Sequence, residues 1–335
     1  PRCLIIAEIG VNHNGDMDLA LKMIDAAKNS GADAVKFQTF ITEKLVSRDT
    51  PKVNYQNNTT SPKETHYEML KKLELPYDEH LNLKNYCEKK GLTFLSTPYD
   101  IESAKFLLEL NVDYFKTASA DLVDLPLQRF IAKTKKPTII SVGMSSLDEV
   151  RHTMNIYNNE GNTDTVLLHC VSNYPCSDKS INLNVIKTLQ KNFMVPVGYS
   201  DHSIGNEASI SSIALGACVI EKHFTLDKTL IGPDHLASST PREFSDLVIS
   251  VRRTERMLGS PTKKTQIEEK QMALVSRKSI VLNKALKSGE IIQIEHLELM
   301  RPGTGLMAKE IDNIVGRKVI KDLNRGHQIK FDDFQ

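Results

Sequence analysis

The sequence predicts a closed (β/α)8 barrel, the TIM-barrel class of α/β fold, followed by a small β-rich domain. Three observations carry this. Short apolar or β-branched runs alternate with longer helical patterns through roughly the first 260 residues, the span of eight strand–helix units. Most of those runs are too short and too apolar for exposed antiparallel strands, so they read as strands buried on both faces of a parallel sheet. Near the C-terminus the rhythm changes to short strands and glycine turns at close spacing.

The eight runs are CLIIAEI (3–9), DAVKFQT (33–39), LTFLSTP (92–98), DYFKTAS (113–119), PTIISVG (137–143), TVLLHCV (165–171), VPVGYSD (195–201) and CVIEKHF (218–224). The intervening segments have helical periodicity. In the first, Ala20, Met23, Ile24 and Ala27 fall on one face and Gly31 follows the end. In the last, Phe244, Leu247, Val248 and Val251 do the same. Thr240, Pro241, Arg242 and Glu243 form a capping box with proline at the first helical position, and Gly259 closes the helix. An open doubly wound sheet is the alternative. It calls for a GxGxxG turn after an early strand, and the sequence has none.

One connection breaks the beat. The stretch LVSRDTPKVNYQNNTTSP (45–62) is polar and asparagine-rich, and a loop of that length is expected to act as a partial lid over the barrel mouth. The predicted domains are a barrel over 1–260, a charged and partly helical linker over 261–276, and a small β-rich domain over 277–335.

Basic and acidic residues nearly balance, 43 against 42, which gives no reason to expect nucleic acid as a partner. The five cysteines, Cys3, Cys87, Cys170, Cys176 and Cys218, are odd in number and contain no CxxC pair. A disulfide framework or structural zinc site is not expected. No run is long enough to span a bilayer, and the opening apolar run is too short for a signal segment. The expectation is a reduced, cytoplasmic protein with no membrane partner, in which the NxT sequons at Asn57 and Asn58 arise by chance.

Catalytic groups of such barrels stand at the C-terminal ends of the strands. Here the first strand ends with Glu8, followed by Asn12, His13 and Asn14. The second carries Lys36 and Gln38, the third Ser96 and Thr97, and the fourth Lys116 and Ser119, with Asp121 beyond. The sixth ends in His169, Ser172 and Asn173, with Tyr174 next; the seventh in Ser200, Asp201 and His202; the eighth in Glu221, Lys222 and His223. A single buried His or Lys is usually a satisfied structural group. Polar groups at seven of eight strand ends are hard to obtain from packing alone, because an unpaired buried charge is costly.

Lys36, Lys116 and Lys222 with Thr97, Ser119, Ser172 and Ser200 suit a phosphate and a carboxylate. Alternation along the eighth strand aims Glu221 and His223 one way and Lys222 the other, so Lys222 either joins this set or faces the helices. Glu221 is then a candidate partner that holds a ligand's tautomer. His202 and His223, on neighbouring strands, are placed to share a divalent metal; a histidine general base is the alternative. Cys170 reads as a small buried thiol. His66, His80, His152, His296 and His327 read as surface or turn residues.

In order along the chain, AEIGVNHNGD, GADAVKFQTF, FLSTPYD, FKTASAD, LLHCVSNYP, GYSDHS, IEKHFTLD and GPDH resemble the bacterial sialic acid synthase family. RKSIV, GEII and MRPGTG resemble its C-terminal antifreeze-like (SAF) domain. The resemblance implies condensation of phosphoenolpyruvate with an open-chain N-acylated mannosamine-type sugar, with manganese or magnesium as cofactor. N-acetylmannosamine would give N-acetylneuraminate; a 6-deoxy diacetamido sugar would give a legionaminate-type product, and the GPDH motif speaks against a pseudaminate product.

The resemblance further implies His202 and His223 as metal ligands, and Lys36, Thr97, Lys116, Ser119, Ser172 and Ser200 as the phosphoenolpyruvate cradle. It implies Glu8 as the carboxylate acting on water, and Gln38, Tyr174 and Asp234 as sugar contacts. Arg301 would reach the N-acyl group from a partner chain in a domain-swapped homodimer. Many members read Ser-Gly-Glu where this chain has Ser119, Ala120 and the shorter Asp121, and some carry Asn in place of Ser172. A metal-dependent keto-acid aldolase on the same barrel and a non-catalytic carbohydrate-binding protein are the rival readings.

Overall fold

A computed structural model describes residues 2–53, 56, 57, 59–61 and 63–335. Eight parallel strands form the first unit's sheet: β1 (Leu4–Gly10), β2 (Ala34–Thr39), β3 (Thr93–Pro98), β4 (Phe115–Thr117), β5 (Thr138–Ser141), β6 (Thr165–Cys170), β7 (Val197–Asp201) and β8 (Val219–His223). Their order is 3-2-1-8-7-6-5-4, so every neighbour is consecutive in sequence except β1 and β8. Those two pair from Leu4↔Val219 to Glu8↔His223, and β3 and β4 lie against each other where the ladder ends. This circular order is that of a barrel, and it excludes the open doubly wound alternative. β4 and β5 are shorter than the predicted runs; after β4 a short helical turn, Ala120–Val123, soon takes over.

The helices form as their patterns require. Met17–Asn29 starts at Asp16, whose carboxylate accepts the Leu19 N–H, and buries Ala20, Met23, Ile24 and Ala27. Pro241–Leu258 carries the expected capping box between Thr240 and Glu243 and buries Phe244, Leu247, Val248 and Val251. These faces join the outward-facing strand residues in the main core between sheet and helices. At the N-terminal pole, Arg252 donates to Asp33 Oδ2 at 2.5 Å and to the Cys3 carbonyl at 2.7 Å, tying the last helix to the first strand.

The long connection after β2 makes a core of its own. Phe40, Met69, Leu70 and Leu73 pack with Val11, and Leu45, Val46 and Tyr99 lie against them. Val11 and Tyr99 immediately follow β1 and β3, so this segment sits at the barrel's C-terminal end. Within it the Lys52 ammonium donates to Thr60 Oγ1 at 2.7 Å and the Ser61 carbonyl at 2.6 Å, and pairs with Glu64 Oε1 at 3.3 Å. Asn54, Tyr55, Asn58 and Pro62, including one of the two sequons and part of the expected lid, lie outside the described residues.

The compact units are Pro1–Gly259 and Ser260–Gln335. In the second, antiparallel β9 (Ser279–Leu282) and β10 (Leu297–Met300) accompany a core of Ile280, Leu282, Leu286, Ile292, Ile314, Val319, Leu323 and Ile329. The predicted linker contains a helix, Glu269–Ser276, with no buried residue. All five cysteines are free thiols. Among the described residues no helix is long and apolar enough to cross a membrane.

His80 departs from the expectation of a surface or turn residue: it is buried within the helix Tyr77–Lys90, whereas His296 is buried but lies in a short turn, Ile294–His296. His80 bonds the carbonyls of Pro76 and Gln38, and the His296 ring accepts the Gln293 N–H.

Candidate active site

Strand alternation builds the site in layers. Ile6, Ala34, Leu95, Ile139, Leu168 and Val219 form an apolar floor inside the barrel. Gly198 belongs to this layer: a Cβ there would lie 2.5 Å from the Val219 carbonyl and 2.6 Å from Leu168 Cδ2. Two residues further along the same strands come Glu8, Lys36, Thr97, Ser141, Cys170, Ser200 and Glu221. Two further again come Gly10, Gln38, Gly143, Ser172, His202 and His223.

The second layer is a chain of alternating charges. Lys36 Nζ is 3.0 Å from Glu8 Oε1 and 3.6 Å from Glu221 Oε1, and it donates to Thr97 Oγ1 at 3.1 Å. Lys116 Nζ is 3.8 Å from Glu221 Oε2 and donates to Ser141 Oγ at 2.7 Å and the Thr117 carbonyl at 2.8 Å. Ser200 donates to Glu221 Oε1 at 3.2 Å, and Gln38 approaches Glu8 Oε1 at 3.5 Å.

Burial opposes every charge here, and pairing decides the outcome. Burial pushes the Glu8 carboxyl up against the pull of Lys36. Glu221 is also penalised by burial, yet Lys116 and Lys36 hold it below the usual carboxylate range. For Lys36, Glu221 and Glu8 outweigh burial and raise the ammonium. For Lys116, burial wins with help from the Lys36 cation, and its ammonium is pulled down.

Beside this chain lies a cup of hydroxyls. The Gly143 N–H donates to Ser119 Oγ at 2.9 Å. A Cβ on Gly143 would stand 2.5 Å from Ser172 Oγ, 2.9 Å from Ser119 Oγ and 3.1 Å from Cys170 Sγ, so the glycine is what leaves the cup open. The sequence reading missed Gly143 and left Cys170 as filler. The thiol is in fact 3.7 Å from His202 Nδ1.

His202 and His223 converge, with ring centroids 5.5 Å apart. Tyr174 stacks obliquely on His202 at 4.1 Å and meets His223 edge-on at 5.4 Å. His202 Nδ1 lies 2.8 Å from the Val171 carbonyl, which can only accept, so Nδ1 carries the proton and Nε2 is left as a donor atom for a ligand. His223 Nδ1 is buried without a hydrogen-bond partner, and burial holds that imidazole well below its usual range, in its neutral form. Glu8 Oε2 and Glu221 Oε2 are likewise buried without a hydrogen-bond partner, although Glu221 Oε2 has the Lys116 ammonium at 3.8 Å. At His202 burial is outweighed by Cys170, Val171 and Glu221, which raise its imidazole, whereas His223 is neutral with an orphaned nitrogen. Two such rings, with the carboxylates of the charge chain in the layer below, suit a divalent cation, which would displace any proton on His202. Among the described residues no group of three His, Cys, Asp or Glu is placed to hold one unaided, so water or substrate oxygens would complete the shell.

The opposite parity faces the helices. Lys222 is not part of the cup: it donates to Asp201 Oδ2 at 2.8 Å and the Ser203 carbonyl at 2.9 Å, and Ser209 donates to the same carboxylate oxygen. His169 bonds the Ile181 carbonyl. Asp234, on the loop after β8, acts on the Tyr99 hydroxyl electrostatically together with Asp121, Glu8 and Glu221, which places it at the same mouth. Arg301 lies in the second unit, exposed, with its Nε–H on the Ser276 carbonyl at 3.0 Å.

Residues 23–263 match the NeuB family and residues 277–335 the SAF domain. The chain is 46% identical over 328 residues to N,N'-diacetyllegionaminic acid synthase of Legionella pneumophila, covering 97% of this chain and 92% of that protein. It is 39% identical over 322 residues to N-acetylneuraminate-9-phosphate synthase of Homo sapiens, covering 95% and 89%. Among solved structures it resembles the N-acetylneuraminic acid synthetase of Leptospira borgpetersenii in complex with citrate. There the TM-score is 0.73 and the identity 35%, over 81% of this chain and 90% of that one.

The Lys222–Asp201 pair is structural, and its loss is expected to cost stability. Asp201→Asn should lower the stability of the protein by about 3–5 kcal/mol, because it strands a buried ammonium. The double variant Asp201→Leu/Lys222→Met should recover most of that in urea unfolding.

Proposed function

We propose, because the chain belongs to the NeuB family and ends in a SAF domain, that it condenses phosphoenolpyruvate with an N-acylated mannosamine-type sugar to give a nine-carbon sialic acid and phosphate. The observation that carries the reading is the coincidence, at one barrel mouth, of the Glu8–Lys36–Glu221–Lys116 chain, the hydroxyl cup and the paired histidines.

Carbon three of phosphoenolpyruvate forms the new bond to the aldehyde carbon of the open-chain sugar, whose oxygen takes up a proton. Water adds at carbon two, and phosphate leaves with the carbon–oxygen bond broken. Lys36 and Lys116 offer ammonium donors to the phosphate and carboxylate, with Ser119, Ser172 and Ser200 as hydroxyl donors and Thr97 steadying Lys36. Glu8, its carboxyl raised by burial, is suited to take a proton from the incoming water. Mn2+ or Mg2+, held by His202 and His223, would act as a Lewis acid on the aldehyde oxygen and as a template for the water. Gln38, Tyr174 and Asp234 would contact the sugar. Arg301 would reach its N-acyl group from the second protomer of a domain-swapped homodimer. The free thiols are in keeping with a cytoplasmic protein.

Between acceptors, the higher identity to the legionaminic acid synthase supports a 6-deoxy diacetamido sugar. N-acetylmannosamine is the second reading, supported by the likeness to the Leptospira synthetase.

Phosphate should be released from phosphoenolpyruvate only when sugar and divalent cation are both present, and the 6-deoxy diacetamido sugar should have the higher kcat/KM. Release without sugar, or no release with either the 6-deoxy diacetamido sugar or N-acetylmannosamine, overturns the reaction. Consumption of pyruvate in place of phosphoenolpyruvate favours an aldolase. His223→Ala should abolish Mn2+ binding as followed by electron paramagnetic resonance; retained binding counts against the two-histidine site. Gly143→Ala crowds the cup, at about 1–3 kcal/mol, and should raise the KM for phosphoenolpyruvate roughly five- to a hundredfold while leaving that for sugar nearly unchanged. Arg301→Ala should do the reverse; equal effects on both substrates would sink its role at the sugar.

A further inference from the structure

His235 follows Asp234 directly and lies fully buried, yet neither the charge chain nor the cup uses it. Its ring joins two loops. Thr225 Oγ1 is 2.7 Å from Nδ1, and Asn14 Oδ1 is 3.4 Å from Nε2. The Asn14 amide donates its other end to the Ile231 carbonyl at 2.8 Å. Directions follow from the partners. Asn14 Oδ1 can only accept, so its bond requires the proton on Nε2; the Thr225 hydroxyl, which also lies 3.1 Å from the Asp227 carbonyl, then turns its proton to Nδ1 at the shorter distance. That is the neutral tautomer, and burial holds the imidazole down at about 4.

The surroundings admit little else. A Cβ on Gly232, whose φ is +156°, would lie 2.7 Å from Asn14 Oδ1 and 2.7 Å from His235 Cδ2. Asn14 itself has φ +52°, a left-handed conformation that asparagine tolerates better than most residues. A second tether runs alongside. Asn12 Nδ2 donates to Ser238 Oγ at 2.8 Å and to the Phe224 carbonyl at 2.9 Å, and Ser238 Oγ donates to the Asp234 carbonyl at 2.7 Å. The loop after β1 therefore grips the loop after β8 on both sides of Asp234.

We propose that the Asn14–His235–Thr225 chain, with the Asn12–Ser238 tether beside it, is a positioning device that fixes the Asp234 carboxylate for the acceptor sugar. This rests on the reading of the reaction given above and on Asp234 as a sugar contact. The phosphoenolpyruvate groups stand mainly on the strands and the turns just beyond them, and no bond of the clamp touches them. Asp234 is on a loop, where the hydrogen bonds just described hold its backbone. A loose clamp therefore weakens the sugar and spares phosphoenolpyruvate, whereas general damage to the barrel weakens both.

The experiment is steady-state kinetics on the full chain with phosphoenolpyruvate, Mn2+ and the acceptor that the unsubstituted protein turns over. His235→Phe keeps a buried ring and removes both of its hydrogen bonds. Asn14→Gly removes the side chain where glycine accepts the backbone. Each should raise the KM for sugar about tenfold and leave that for phosphoenolpyruvate within about twofold, and together they should cost less than the product of the two. Unchanged sugar KM in both, or an equal rise for both substrates, overturns the clamp. If His235→Phe does not fold, Asn14→Gly decides alone. Absence of phosphate release by the unsubstituted protein with every sugar would instead overturn the reaction, a result distinct from turnover with an unmoved sugar KM.

Discussion

Two acidic and two basic side chains are buried together inside the barrel, and each is tolerable only because the others are there. The Glu8–Lys36–Glu221–Lys116 chain has both ends and both links buried. Removing such charges from water costs several kcal/mol per ion, and their mutual attraction offsets this only when the geometry is held. The apolar floor beneath and the β1–β8 pairing hold it. With both lysines protonated and both carboxylates ionised, the chain has no net charge. An anionic substrate would therefore meet ordered donors without a surplus of positive charge, which gives the proposed cation between the two imidazoles an electrostatic purpose as well as a chemical one.

Much of this was legible because a strand writes its two faces into alternate residues. Glu8, Lys36, Thr97, Ser200 and His223 could be assigned to the mouth from their place near strand ends, and Glu221 could be separated from Lys222 by parity alone. What alternation does not encode is how neighbouring strands are staggered. Gly143 matters because its N–H and its missing Cβ meet Ser119, Ser172 and Cys170, which come from two other strand ends. Cys170 could be placed beside His202 only once the β6–β7 register was known, Cys170 lying opposite Ser200. His80 was misread for a different reason. It shares a helical face with Leu83 and Cys87, three and seven residues on, and that spacing marked it as buried despite its polar ring.

The loop after β1 has an importance that its sequence, polar and glycine-flanked, does not advertise. Val11 enters the small core formed by the long connection after β2, while Asn12 and Asn14, one and three residues later, hold the loop after β8. One short segment thus joins the cover on one side of the mouth to the Asp234 loop on the other. Buried amides suit this, because an asparagine can donate and accept at once and so fixes both distance and direction. Lys and Arg could bridge the same gap, but they would add a charge beside the balanced Glu8–Lys36–Glu221–Lys116 chain. On this view the asparagines are there because they give rigidity without altering the electrostatics that the charge chain depends on.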